Sequence, residues 1–330
     1  MTVTIYDVAK EAKVSISTVS RVINNSPLVK EETRQRVKKV MQKLNYRPNV
    51  MARGLMLKKS HTIALILPNS HAPFFSEIIG GVEQVASNYG YNIIIGSDYR
   101  EKKKQLSFVT FFAEGRIDGL IIMFPRFVGK DIQTLLNQPL PLVSLGSQVP
   151  GLDTSCVLID NFGGAYEAVQ FLINKGHKRI AFISGIFHTK DNTERLQGYK
   201  AALKDHGINL RPHYIARGDF LEESGRKTMA ELLKVNPRPT AVFAANDNMA
   251  IGAMDIIKKS GLKIPDDIAI VGFDDIPLAA YTQPPLTTVR QPMLEMGKVA
   301  AEKLFKNINN IPDNQKIITL KTDLIIRKSA

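Results

Sequence analysis

Two groups of residues in this 330-residue chain have types and spacings that could do chemistry. The first lies near the N-terminus. On a helical wheel begun at Ile16, the side chains of Val19, Val22 and Ile23 fall within about 100° of one another. Ser17 and Arg21, four apart, lie on the opposite side with Ser20 beside them. Arginine can donate two bonds to a guanine edge, and small hydroxyls can bond bases or phosphates, so this face suits reading of a major groove. A solvated three-helix bundle would carry the same face without any DNA partner. The second group is Arg195, Asn246 and Asp274, with Phe74, Phe75 and Phe220. A rigid donor fork, an amide that donates and accepts, a carboxylate and flat apolar rings suit a polyhydroxylated small molecule. The plainer reading makes Phe74 and Phe75 core residues at a helix start and gives Arg195 a surface ion pair.

Catalytic signatures are missing. The chain has no G-x-x-x-x-G-K-[ST], no G-x-G-x-x-G after a strand, no H-E-x-x-H and no G-x-S-x-G. The six histidines (His61, His71, His177, His188, His206, His213) lack metal-ligand spacing and read as surface or loop residues. Asp274 and Asp275 read as a solvated loop pair or a hydroxyl-binding carboxylate rather than a catalytic dyad. The chain is therefore expected not to be an enzyme and to need no cofactor and no metal.

The elements that must position these groups change character along the chain. Residues 1–47 read as short helices: Thr4 and Asp7 form a T-x-x-D capping signature, Ser15 opens a second helix, and Val37, Val40, Met41 and Leu44 make a third apolar stripe. Pro48 ends that element. From Ile63 onward, apolar runs alternate with helical patterns. They are Ile63–Leu67, Tyr91–Ile95, Gly119–Phe124, Pro141–Leu145 and Val157–Ile159, then Ile180–Ile183, Tyr214–Ala216, Ala241–Ala244, Ile268–Phe273 and Thr287–Val289. Continuous apolar strands separated by amphipathic helices predict two α/β lobes with parallel sheets and a ligand cleft between them. The expected division is a head over 1–47, a linker over 48–60 and a two-lobed body over 61–330. The lobes run approximately 61–160 and 161–290, with the C-terminal segment packing back.

Charge follows the same division. The formal net charge is +13, and residues 1–60 carry 13 Lys and Arg against 4 Asp and Glu, a net of +9. A basic head on a nearly neutral body fits a polyanion partner or simply a well-solvated surface. The single cysteine, Cys156, excludes a disulfide framework or a Cys-based zinc site. With no signal-peptide h-region and no apolar run near the ~20 residues needed to span a bilayer, a cytoplasmic protein without a membrane partner is expected.

The stretch Thr4-Ile-Tyr-Asp-Val-Ala-Lys-Glu-Ala-Lys-Val-Ser-Ile-Ser-Thr-Val-Ser-Arg-Val-Ile-Asn24 resembles the helix-turn-helix of the LacI/GalR family of bacterial transcriptional regulators. The likeness continues through Leu44-Asn-Tyr-Arg-Pro-Asn49 and Ala52-Arg-Gly-Leu55. Further matching pieces follow in order: Gly176-His-Lys-Arg-Ile-Ala, Arg195-Leu-Gln-Gly-Tyr, Ala245-Asn-Asp-Asn-Met-Ala-Ile-Gly252, Val271-Gly-Phe-Asp-Asp275 and Pro285-Leu-Thr-Thr-Val-Arg-Gln-Pro292.

The resemblance implies an all-α head on a periplasmic-binding-protein-like body of two Rossmann-like lobes. It implies base-reading positions at Ile16, Ser17 and Arg21, and phosphate-holding positions at Thr4, Ser15, Thr18 and Asn24. Ile16 lies close to the apolar arc, so packing stays open for it. Lys30 stands where the family often has a capping Ser, which costs about 1 kcal/mol of helix capping. Segment 49–57, short and interrupted by Gly54, is marginal as an isolated helix. In the family it folds on operator DNA and wedges a leucine, here Leu55, into the minor groove. In the body, the resemblance places Asn69, Phe74, Asp160, Arg195, Phe220, Asn246 and Asp274 around an interlobe effector cleft.

The expected function is thus that of a DNA-binding transcriptional regulator, a repressor whose affinity for a pseudo-palindromic operator is set by a sugar or sugar derivative. A homodimer is expected, since no leucine heptad follows Lys328-Ser-Ala330. The head and hinge resemble most the catabolite-control branch of the family, which uses a phosphorylated carrier protein as corepressor. That branch has arginines near 298–306, where this chain has Lys298, Glu302, Lys303 and Lys306, and Glu302 disfavours a phosphoserine. A protein or purine corepressor, or a solute-binding protein, are the alternatives.

Overall fold

The computed structural model describes residues 3–23, 26–46, 59–68, 73–97, 102–124, 128–136 and 139–330. Asn24, Leu55 and Asn69, the side chain of Phe74, and segment 49–57 lie outside the described residues. The chain divides into two units, Met1–His61 and Thr62–Ala330.

The first unit holds α1 (Ile5–Ala12), α2 (Ile16–Ile23) and α3 (Glu31–Lys43). Local chemistry sets each boundary. The Thr4 N–H donates to the Asp7 carboxylate at 2.8 Å and the Thr4 hydroxyl donates to the same oxygen at 2.7 Å, closing the start of α1. These bonds, the backbone one foremost, hold the Asp7 carboxyl below its ordinary range. Lys13 ends α1 in the left-handed region (φ 51°), and its N–H returns to the last turn. Ser15 Oγ then accepts the Thr18 N–H at 3.1 Å and caps α2. Lys30 supplies no side-chain cap to α3, but Glu31 and Glu32 fill its first turn, where the helix dipole favours acids. Val8, Ala9, Ala12, Val19, Val22 and Val37 form the buried centre.

The second unit contains two six-stranded sheets. The first is built of β1 (Thr62–Leu67), β2 (Asn92–Ser97), β3 (Gly119–Met123), β4 (Leu142–Leu145), β5 (Ser155–Ile159) and β11 (Ile317–Leu320), in the order β11-β5-β4-β3-β1-β2, all parallel. The second is built of β6 (Ile180–Ser184), β7 (Ile215–Arg217), β8 (Ala241–Ala244), β9 (Ala269–Asp274), β10 (Thr287–Arg290) and β12 (Asp323–Ile325), in the order β12-β10-β9-β8-β6-β7, antiparallel at β12 and parallel elsewhere. Helices α4 (Pro73–Asn88), α5 (Lys102–Ala113) and α6 (Gly129–Leu135) belong to the first lobe; α7 (Asn161–Asn174), α8 (Lys190–Asp205), α9 (Glu222–Leu232) and α10 (Asp247–Lys259) belong to the second. Residues Ile63–Leu67 and Ala241–Ala244 are buried throughout, as continuous apolar strands covered on both faces must be.

The chain passes between the sheets after β5, after β10 and between β11 and β12. The second passage delivers α11 (Met293–Ile308) back to the first lobe, where Met296, Ala300, Leu304 and Phe305 pack with Ile78 and Val82 of α4. The two helices touch backbone to backbone: a Cβ on Gly297 would collide with the Ile78 carbonyl, and one on Gly81 with the Leu294 carbonyl. The loop leading to β11 is fixed from α11, where the buried Lys303 ammonium donates to Asp313 at 2.6 Å and to the Gln315 carbonyl. Strand β11 itself was not anticipated from sequence, because Ile317–Leu320 lies on a half-exposed edge and carries no continuous apolar run. No helix among the described residues is long and apolar enough to cross a membrane.

Candidate functional site

In the head, burial of one face of α2 leaves the other free. Val19 and Val22 are buried, whereas Ser17 and Arg21 are exposed and Thr18 and Ser20 half-buried. Ile16, for which packing was open, is 40% exposed and lies on the outer surface. Ser15 Oγ stands 2.8 Å from the hydroxyls of both Ser17 and Thr18, so three small hydroxyls form one linked patch at the start of α2. Thr4 sits at the start of α1 with its hydroxyl proton committed to Asp7, leaving its oxygen to accept. The arrangement offers one guanidinium and a row of hydroxyls on a rigid helix, which can bond base edges and phosphate oxygens.

In the body, Arg195 gathers most of the cleft residues expected from sequence. It projects from α8 and is buried, contrary to the surface-pair reading. Its guanidinium stacks over the Phe273 ring at 3.7 Å. Nε donates to Asn161 Oδ1 at 2.9 Å, Nη1 donates to the Ala245 carbonyl at 2.5 Å, and Nη1 lies 3.6 Å from Asp274 Oδ1. Asp274 is thus in direct reach of the guanidinium, while Asp160 and Asn246 are the chain neighbours of the contacted Asn161 and Ala245. Asn246 also caps α10, its Oδ1 accepting the Met249 N–H at 3.0 Å while Nδ2 donates to the Phe220 carbonyl at 3.0 Å. Asp160 caps α7 by accepting the Gly163 N–H at 2.7 Å. The Phe220 ring lies directly against Gly185, leaving no room for a Cβ there.

Asp274 and Asp275 are not a solvated loop pair. The Asp275 side chain is 6% exposed and that of Asp274 11%, and both residues have left-handed backbones (φ 118° for Asp274 and 56° for Asp275), as does Phe220 (φ 70°). Such conformations cost roughly 1–3 kcal/mol each and persist where surrounding contacts over-determine them. Asp275 is clamped by Arg290 at 2.7 Å and Arg327 at 2.6 Å. Asp274 accepts a 2.6 Å bond from Gln291. Burial pushes its carboxyl up to about 7, against the pull of Arg195 and the Gln291 bond and with a further push from the charge of Asp191. Behind it, Asp247 is fully buried, bonded to Thr288 at 2.5 Å and to the Ile276 N–H at 2.9 Å; burial raises its carboxyl too.

A cavity of about 380 Å³ opens beside Asp274, lined by Glu77 and Met293 from the first lobe and by Asp275, Arg290, Gln291 and Arg327 among others. Sequence reasoning singled out only Asp275 among these, as half of the Asp274–Asp275 pair. Gln291 and Arg290 were nonetheless inside the quoted Pro285–Pro292 stretch, which was the available signal. Phe75 packs against the first lobe's core, in line with its plainer reading. Among the described residues, no group of three or more His, Cys, Asp or Glu is placed to hold a metal ion.

Comparison with known proteins agrees with both parts. Residues 4–49 match the family model "Bacterial regulatory proteins, lacI family", and residues 169–330 match a periplasmic binding protein-like domain. Catabolite control protein A of Priestia megaterium is 38% identical over 330 residues, covering 100% of this chain and 99% of that protein. Among solved structures, the lac repressor dimer bound to operator and the anti-inducer ONPF superposes with a TM-score of 0.87 at 29% identity, over 100% of this chain and 99% of that one. The transcriptional regulator CelR in complex with cellobiose does so with a TM-score of 0.75 at 34% identity, over 99% and 100%. With a family head, a two-lobed body and likeness running end to end, the chain belongs to the LacI family of bacterial transcriptional regulators.

Proposed function

We propose that the protein is a homodimeric, cytoplasmic repressor whose affinity for a pseudo-palindromic operator is set by a sugar or sugar derivative bound between the lobes. The observation that carries this reading is the buried Arg195–Asp274 pair, hung between α8 and a strained loop beside an interlobe cavity. A cation and a carboxylate buried together cost desolvation, and that cost is sensible where a ligand completes their hydrogen bonds. Relatives support the two halves: one is seen on operator, another with cellobiose, and neither is described as an enzyme. Ile16, Ser17 and Arg21 read bases, Thr4, Ser15, Thr18 and Asn24 hold phosphates, and Leu55 wedges into the minor groove; Asn24 and Leu55 lie outside the described residues. A gel shift against a library of pseudo-palindromic duplexes tests the reading. Binding at low salt that weakens as salt rises is expected, and failure to retain any duplex would sink it.

A corepressor of the catabolite-control kind is the second reading, favoured by the 38% identity with a protein of that name. Against it, Lys303 is buried and committed to Asp313, so one of the basic residues near 298–306 offers nothing to a docking partner.

A further inference from the structure

Glu77 and Arg290 line the same cavity of about 380 Å³ from opposite lobes, and nothing above assigns either a role. Glu77 is exposed on α4, four residues before Gly81 and therefore on the same face of that helix. Gly81 and Gly297 hold α4 backbone to backbone on α11, so Glu77 rides with α11 as part of the first lobe. Arg290 ends β10 in the second lobe, and only Gln291 and Pro292 separate it from Met293, the first residue of α11. Its Nε donates to Asp275 at 2.7 Å, and Asp275 is held in turn by Arg327, which fixes this guanidinium to the second lobe. The two charges thus flank a two-residue connection between the lobes.

We propose that Glu77 and Arg290 form a latch across this hinge, apart in the present arrangement and joined as an ion pair in a second, more closed one. Three observations carry it. First, both groups have spare capacity: no ion pair or hydrogen bond reaches Glu77, and Arg290 has none beyond its Nε bond, among the described residues. Second, the charge is complementary. Arg290 and Arg327 share the single carboxylate of Asp275, and Asp274 is answered by Arg195, so the second-lobe wall keeps one positive charge over. The first-lobe wall brings the negative charge of Glu77. Third, the place is mechanical: with α4 locked to α11, rotation about Gln291 and Pro292 changes the gap between these two groups directly. The Arg290 side chain is 53% exposed, so the pair is of the weak, salt-screened kind, which biases an equilibrium between lobe arrangements without fixing it. The latch acts on the empty protein and stands apart from the effector reading of the preceding section.

The test is a double electron–electron resonance measurement on the full chain without ligand. Spin labels are carried on Lys103→Cys of α5 and Lys200→Cys of α8, both exposed positions, while Cys156 stays buried. Excess unlabelled protein is added so that only distances within one chain register. At low salt two distance components are expected, one of which shrinks as salt rises. Glu77→Gln is expected to lower that component by about two- to fivefold, the scale of an exposed ion pair. Arg290→Gln should do the same, and the double variant should match Glu77→Gln alone, because the second substitution then has no pair left to break. A distribution unchanged by Glu77→Gln overturns the proposal, and so do effects of the two substitutions that simply add.

Discussion

Asp274 sits 3.6 Å from a guanidinium without a hydrogen bond between them, and its carboxyl is lifted from 3.8 to about 7. A folded-state value above the ordinary one means that the folded protein takes up a proton. This group's stabilising contribution is therefore present in acid and fades as pH climbs through that window. Ligand binding runs the other way, because a hydroxyl donating to Asp274 needs the carboxylate. Affinity for a neutral ligand is expected to rise with pH up to about 7 and level off above it, and calorimetry across pH 5.5–8.5 on Asp274→Asn should find the slope gone. In the head, Arg21 is exposed on a fixed helix, and a bidentate arginine–guanine contact contributes about 1–3 kcal/mol of discrimination. Arg21→Ala should lose that preference at one operator position in a binding series while keeping most non-specific affinity. Equal losses on every sequence would reassign Arg21 to phosphate contact. At this scale the sequence was legible in part: Arg195, Asn246 and Asp274 were recognisable by type. That Arg195 reaches the Ala245 carbonyl, and that Asp275 is clamped by two arginines, depends on which strand ends meet. Residue spacing does not encode that.

Boundaries set by local chemistry were readable at the scale of elements. Thr4–Asp7 and Ser15 each mark a helix start through bonds made within three residues. Removing the Ser15 cap, as Ser15→Ala, should cost about 1 kcal/mol of head stability in a thermal melt followed by circular dichroism. Longer-range fits left fainter traces. Gly81 and Gly297 are ordinary glycines in sequence, yet they let α4 and α11 meet backbone to backbone. Gly297→Val should destabilise the body by on the order of 3 kcal/mol, measured by denaturant unfolding, because the rigid Ile78 carbonyl cannot move aside. Strand β11 escaped sequence reading for a related reason. It is an edge strand paired with β5, and the loop before it is tied to α11 by the Lys303–Asp313 pair. Breaking that buried pair with Asp313→Ala should cost about 3–5 kcal/mol.

Across the whole molecule, the uneven charge and the two kinds of texture already pointed to a basic head and a neutral two-lobed body. The repeated passage between sheets adds the physical basis for a switch. In the function proposed above, a ligand held by Arg195 and Asp274 in the second lobe would act on a body whose lobes are joined by three chain connections. It can change operator affinity only by as much as it prefers one lobe arrangement over the other. Typical couplings of this kind are about 1–3 kcal/mol, or roughly 5–150-fold. The measurement that bears most directly on this account is operator binding by fluorescence anisotropy, made with and without a saturating neutral ligand identified by calorimetry. The account predicts a change in operator affinity of at least about fivefold, abolished in Arg195→Ala. An unchanged affinity with the cleft demonstrably occupied would contradict it.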